Sequence, residues 1–241
     1  MVKETWPSLE EFEIKVKETT IANNKAELDL IENLLNQYLA GFRLLHEFKT
    51  GEAQRLELAW LVLVVRGFNS LRCAYDLLQK GYYSQAVILI RATEEDYLTC
   101  RHCEINLETV EALLAGKSRI SKFKKMAKDI SPQFCQNWDT NYGQLSEIAH
   151  PRQLAIAMTT KWDENRLNLG GYYIENHFIA TCHALLRSAV SMFEILSKIL
   201  GDSAPQWVKE SLPAFQEACV CVEKISKEYG SVSNKKPYCL I

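Results

Sequence analysis

Residues 81–103 read GYYSQAVILIRATEEDYLTCRHC, and the fold turns on this stretch. Ala86, Leu89, Ile90, Thr93 and Tyr97 recur at three- and four-residue spacing, the period of a helix with one buried face. Val87 and Ile88 widen that face, so the helix is expected to be central. Set into it are Arg91, Glu94, Glu95 and Asp96. Charges beside so apolar a segment are costly unless they are paired or put to use. Arg91 and Glu95 stand four residues apart and can pair along the helix.

Upstream, residues 52–80 carry Leu56, Ala59, Trp60, Leu63, Val64, Gly67, Leu71, Ala74, Tyr75 and Leu78 on one stripe, and Gly81 stops that helix. Before it, Leu28, Ile31, Leu34, Leu35, Tyr38, Leu39 and Phe42 mark a long amphipathic helix that reaches about residue 48, with Thr50 and Gly51 as a loop. The first helix starts at Pro7 and Ser8, with Glu11 at capping-box spacing, Phe12, Val16 and Thr19 or Thr20 on its apolar side, and a break at Asn23 and Asn24.

Downstream, Asn106 can cap a short helix ending near Gly116, and Ser118 another running through Lys128. Ser131 and Pro132 open the next helix, which Pro151 forces to end at His150. Texture changes over residues 153–173, where Ile156, Met158, Leu167 and Leu169 alternate about the polar turn of Asp163, Glu164 and Asn165. That pattern predicts a short β-hairpin. Phe178, Cys182, Leu185, Leu186, Ala189, Met192, Phe193, Leu196 and Leu200 restore a helical stripe, and a last helix over 205–229 is expected to break near Pro213. The fold class is therefore all-α, a helical bundle with a small β-hairpin insertion. Neither repeats nor a low-complexity linker appear, so 1–241 reads as a single domain, with its core over about 24–200 and a loosely ordered tail over 230–241.

Composition agrees with this class. Hydrophobic residues make up 47%, with only 10 Gly and 6 Pro. A net charge of −2 and a pI near 6.2 argue against a general electrostatic attraction to nucleic acid. The longest apolar run, 58–65, falls far short of the ~20 residues a membrane helix needs. The N-terminal residues are charged and lack a signal-peptide core, so a cytoplasmic chain with no membrane partner is the expectation. On that reading the eight cysteines are reduced thiols, mostly small buried hydrophobes.

A second stretch, NYGQLSEIAHPR over residues 141–152, holds the candidate site. Tyr142, Ser146 and His150 lie at i, i+4 and i+8, roughly one line along a helix. His150 stands at the helix end, where the dipole favours a cation, and Arg152 is close enough to join it. The competing reading is a histidine that caps the last carbonyls.

Taken together, G-YYSQAVILIRATEEDYL and Y-GQLSEIAHP resemble a family of uncharacterised bacterial helical proteins (DUF5677-like), itself similar to the wider HEPN group of helical bundles. That group includes toxin and defence ribonucleases and nucleotide-binding accessory proteins. The resemblance spans roughly residues 60–195. It implies a pocket where Arg91 and Glu95 face Tyr142, Ser146 and His150. Arg91 would bind a phosphate or carboxylate, His150 would act as acid, base or ligand donor, and Glu95 would hold one of them in place. It also implies a homodimer. One departure stands out: HEPN ribonucleases carry an Arg shortly before the His on the same helix, and here those positions hold Gly143, Gln144 and Leu145.

Two other signals stand in the sequence. Cys100, Arg101, His102 and Cys103 form a C-x-x-C, but zinc needs about four ligands, and Cys182, His183, Cys219 and Cys221 are poorly spaced to complete a set. The basic run 117–128, KSRISKFKKMAK, has Ile120, Phe123 and Met126 on its other side and reads as a solvated face able to touch a phosphate backbone or an acidic partner. No metal and no cofactor are expected. Three functions remain: a binding or accessory protein for a nucleotide or other anionic ligand, a metal-independent ribonuclease acting on RNA with His150 as its candidate catalytic group, and a structural interaction module.

Overall fold

The computed structural model describes residues 8–45, 54–117, 122–150, 160–161, 166–167, 171–201 and 203–230. Nine helices occur among them: α1 (Leu9–Asn23), α2 (Lys25–Leu45), α3 (Arg55–Gln79), α4 (Tyr83–Cys103), α5 (Leu107–Leu114), α6 (Phe123–Ile130), α7 (Pro132–Ala149), α8 (Glu175–Leu200) and α9 (Pro205–Gly230). The chain is an all-α bundle.

Its axis is the α3–α4 hairpin. Gly81 takes φ +75° in the turn between them, a conformation only glycine adopts freely. A Cβ on Gly81 would also come within 2.2 Å of the Tyr172 carbonyl oxygen, and one on Gly171 within 1.7 Å of the Lys80 carbonyl. These two glycines let the chain before α8 lie directly on the turn. Helix α8 then packs across both α3 and α4, and α9 packs on α8 and α2.

The stripe read on α3 is buried from Ala59 to Leu78, and the α8 stripe is buried at every position read. On α2, Leu28, Ile31, Leu34, Leu35 and Tyr38 are buried, whereas Leu39 is exposed. Each fully buried Leu or Ile contributes about 1.5–3 kcal/mol. The main core extends past residue 200, since Trp207, Ala214, Phe215 and Ala218 join it, with Phe215 stacked on Phe193. Among the described residues, α8 alone resembles a membrane span by length and composition, yet 61% of that stretch is buried inside the fold.

A second, smaller core of Leu98, Met126, Ala127, Cys135 and Trp138 lies between α4, α6 and α7. Helix α4 therefore serves two cores and is buried on two faces. His102 is buried on that second side against Thr109 and Asp129, whereas Glu94 and Asp96 are buried against α8 and α3. Helix α4 also leaves Ile88 47% exposed, outside the face to which it was assigned.

Several boundaries follow their expected chemistry. Ser8 and Glu11 form the capping box of α1, Asn106 caps α5 by accepting from the Thr109 amide, and Ser131 caps α7 by accepting from the Phe134 amide. Asn24 separates α1 from α2 and is buried, donating to the Thr20 carbonyl and the Tyr173 hydroxyl. Others differ. Helix α6 is capped at Lys122, while Ser118 lies outside the described residues. Helix α9 continues through Pro213 without a break.

The hairpin insertion expected over 153–173 is not seen as such. The described residues hold only a two-residue antiparallel ladder, Thr160 opposite Leu167 and Lys161 opposite Arg166. Ile156, Met158, Leu169 and the turn at Asp163, Glu164 and Asn165 lie outside the described residues. The loop at Thr50 and Gly51, Arg152, and the tail beyond Gly230 lie outside the described residues.

Candidate functional site

Helix α4 presents Arg91 and Glu95 one turn apart toward α7, and α7 answers with Tyr142 and His150. The Arg91 guanidinium lies over the Tyr142 ring, 5.1 Å from its centroid. Its Nε donates to the Tyr142 hydroxyl at 3.0 Å and pairs with Glu95 Oε1 at 3.2 Å. The Tyr142 hydroxyl donates in turn to Glu95 Oε1 at 2.6 Å. Burial, and the bond to the Glu95 carboxylate, push the Tyr142 phenol up to about 12, so it remains a donor at any physiological pH.

Nη1 of Arg91 reaches His150 Nε2 at 3.4 Å. Among the described residues the terminal guanidinium nitrogens meet no other acceptor. The Arg91 side chain is 22% exposed and His150 is exposed, so the pair stands at the solvent boundary. His150 occupies the α7 C-cap with extended backbone, its amide donating to the Ser146 carbonyl. Its ring meets Arg91 rather than capping the last carbonyls.

Four of the six residues read from sequence thus converge: Arg91, Glu95, Tyr142 and His150. Ser146 does not join them. It is half-buried, and among the described residues its hydroxyl makes no hydrogen bond. Two i+4 steps put Ser146 between Tyr142 and His150 along α7, but its short side chain is not among those bonded to Arg91 or Glu95. Arg152 lies outside the described residues.

Sequence reasoning missed the support behind the site. Trp138 stacks on Tyr142 with ring centroids 4.1 Å apart and planes 15° from parallel, and Phe123 packs against both rings. Tyr142 is therefore clamped between an indole and a guanidinium. The i,i+4 spacing of Trp138 and Tyr142 is the signal that was available. Missed too was the buried carboxylate one residue past Glu95: Asp96, wholly buried, takes a forked ion pair from Arg66 of α3, with Nε 2.9 Å from Oδ2. Beyond these, Glu94 accepts from the Ser188 hydroxyl at 2.5 Å and pairs with Arg187 of α8 at 3.4 Å.

The other signals resolve into packing. Cys100 and Cys103 are buried, and burial raises both thiols, Cys103 to about 12. His102 is buried between Thr109, at 2.7 Å, and Asp129, at 3.4 Å. Among the described residues no group of three His, Cys, Asp or Glu is placed to hold a metal. In the basic run, Lys124 pairs with Asp139 at 3.0 Å while Met126 and Ala127 fill the smaller core. Two open grooves flank α1. One, of about 580 Å³, is lined by Phe12, Val16, Tyr172 and Tyr173, and the other, of about 380 Å³, by Lys17, Arg72, Tyr75 and Asp76. Neither is lined by a residue of the Arg91 cluster.

Comparison with known proteins found no matching family model, no matching curated relative and no matching solved structure.

Proposed function

We propose that the Arg91–His150 cluster is an anion-binding site for a phosphate- or carboxylate-bearing small molecule, a nucleotide among them, and that the protein is a binding or accessory protein. The observation that carries this reading is the placement of Arg91. Glu95 and Tyr142 fix its Nε and its plane, while its Nη1 reaches solvent-exposed His150. A network needed only for packing would spend that donor inside. A guanidinium held flat at the solvent boundary, with a terminal nitrogen on an exposed histidine, is preorganised for an oxyanion.

The test is a thermal-shift panel of inorganic phosphate and nucleoside mono-, di- and triphosphates, run on wild type and Arg91→Gln. A ligand at a hundred times its Kd adds about 2.7 kcal/mol, roughly 5–10 °C in Tm for a chain of this size. Arg91→Gln is expected to abolish the shift. A wild type that no member of the panel stabilises argues for the structural-module reading instead.

A second reading has one observation in its favour. The α7 helix lacks an Arg ahead of His150, yet α4 brings Arg91 to its side. This supports an RNA-cleaving site related to the HEPN group, with His150 as the base and Arg91 stabilising the phosphorane. Metal-free cleavage of RNA, lost in both His150→Ala and Arg91→Ala, would establish it. Homodimerisation belongs to the same resemblance, and sedimentation of the purified protein tests it.

A further inference from the structure

We propose that the Arg91–His150 site takes up a proton at His150 Nε2 when its anion binds; this rests on the anion-site reading above. The inference follows from donor chemistry. A guanidinium nitrogen only donates. With Arg91 Nη1 3.4 Å away, His150 Nε2 is the acceptor of that contact in the unliganded protein. A ring nitrogen that accepts carries no proton, so the imidazole is neutral with its hydrogen on Nδ1.

The oxygens of a phosphate or carboxylate only accept. Nε2 in its unliganded state presents a lone pair to them and cannot hold one. Arg91 Nη1 and His150 Nε2 lie side by side, so two oxygens of one oxyanion can engage both, provided that Nε2 becomes a donor. A proton from solvent makes it one and places a second positive charge against the anion, which strengthens the bond roughly twofold over a neutral donor. Moving the Nδ1 proton to Nε2 also supplies a donor, but forgoes that charge. Without the anion, the same protonation would set two cations against each other at the distance of the present contact.

Among the described residues, the charged and titratable groups facing His150 are Arg91 and Glu95 from α4 and Tyr142 from its own helix, with Glu147 three residues back on α7. Tyr142 holds its proton throughout the range that matters, as burial pushes it up to about 12. Glu95 is engaged by both Arg91 and Tyr142. His150 is the one of these that meets Arg91 Nη1 at the solvent boundary.

Sulfate is a suitable probe because it remains a dianion throughout, and its affinity is measured calorimetrically from about pH 5.5 to about pH 8.5, the range in which imidazoles titrate. Wild type is expected to lose about tenfold in affinity per pH unit on the alkaline side, the slope of one linked proton. His150→Gln, which keeps an N–H donor, is expected to bind with an affinity that does not follow pH. Arg91→Gln is expected not to bind, with its helical circular dichroism unchanged. A flat wild-type profile, or a His150→Gln profile with the wild-type slope, overturns the proton linkage while leaving the anion site standing if Arg91→Gln still fails to bind. A folded wild type that binds no sulfate at any pH, or an Arg91→Gln variant that binds as well as wild type, overturns the site itself.

Discussion

Replacing Arg66 by Gln is expected to destabilise the protein more than replacing Asp96 by Asn, although each change removes the same ion pair. The asymmetry lies in exposure: the Asp96 side chain is 0% exposed and that of Arg66 63%. Loss of Asp96 leaves a guanidinium that water solvates; loss of Arg66 leaves a carboxylate with no charge partner inside the protein. Even with Arg66 in place, burial outweighs the pairing and pushes Asp96 from its ordinary 3.8 up to about 6. At ~1.36 kcal/mol per pKa unit, that displacement costs the ionised form about 3 kcal/mol. Without Arg66, Asp96 takes up a proton near neutral pH, so Arg66→Gln is expected to add about 1.4 kcal/mol to that cost, whereas Asp96→Asn, which removes the ionisation penalty, should cost little or nothing. The pH dependence has a definite sign. Because the folded-state pKa lies above the unfolded one, the stabilisation linked to the Asp96 proton is complete below 3.8 and is lost as pH rises through about 6. From acid to neutral pH, Asp96→Asn should thus gain on wild type by up to about 3 kcal/mol. Urea denaturation at several pH values, compared at constant m, measures both effects. Equal losses in the two variants near neutral pH, or a larger loss in Asp96→Asn, would refute the reasoning.

Three further outcomes are expected. Tyr142→Phe keeps the stack on Trp138 but removes a hydroxyl bonded to two charged groups; urea denaturation should show a loss of about 1–2 kcal/mol, and anion affinity should fall because Arg91 loses its anchor. Gly81→Ala should cost several kcal/mol, since it combines a positive φ with contact against the Tyr172 backbone, whereas Gly116→Ala, with φ +67° and open space around it, should cost only about 1 kcal/mol in thermal unfolding. In timed alkylation read by mass spectrometry, exposed Cys73 and Cys219 should react well before buried Cys100, Cys103 and Cys182.

Much of the architecture was legible because it is periodic. The α3 and α8 stripes run in regular three- and four-residue steps, and their burial follows that pattern nearly position by position. Caps were legible for the same local reason: Ser8, Asn106 and Ser131 act on amides three residues away. What escaped was whatever depends on a partner distant in sequence. Asp96 looks like a surface carboxylate until Arg66 is brought across the α3–α4 interface, and α4 looks one-sided until α6 and α7 form a second core on its other face. The site itself was half legible. Spacing alone pairs Arg91 with Glu95, but that they meet Tyr142 and His150 rested on resemblance, and the Trp138 clamp went unread. Ser146 was named on spacing alone, and spacing along a helix does not show how far a short side chain reaches. Of the hairpin read over 153–173, the described residues show only Thr160 and Lys161 paired with Leu167 and Arg166, and Ile156, Met158 and Leu169 lie outside them.

The most direct measurement is a calorimetric titration of inorganic phosphate into wild type and Arg91→Gln near neutral pH. The anion-site account expects saturable one-to-one binding by wild type and none by a folded Arg91→Gln variant. Absence of binding to wild type, or equal binding to both proteins, would contradict it and leave the Arg91 cluster as a support for helix packing.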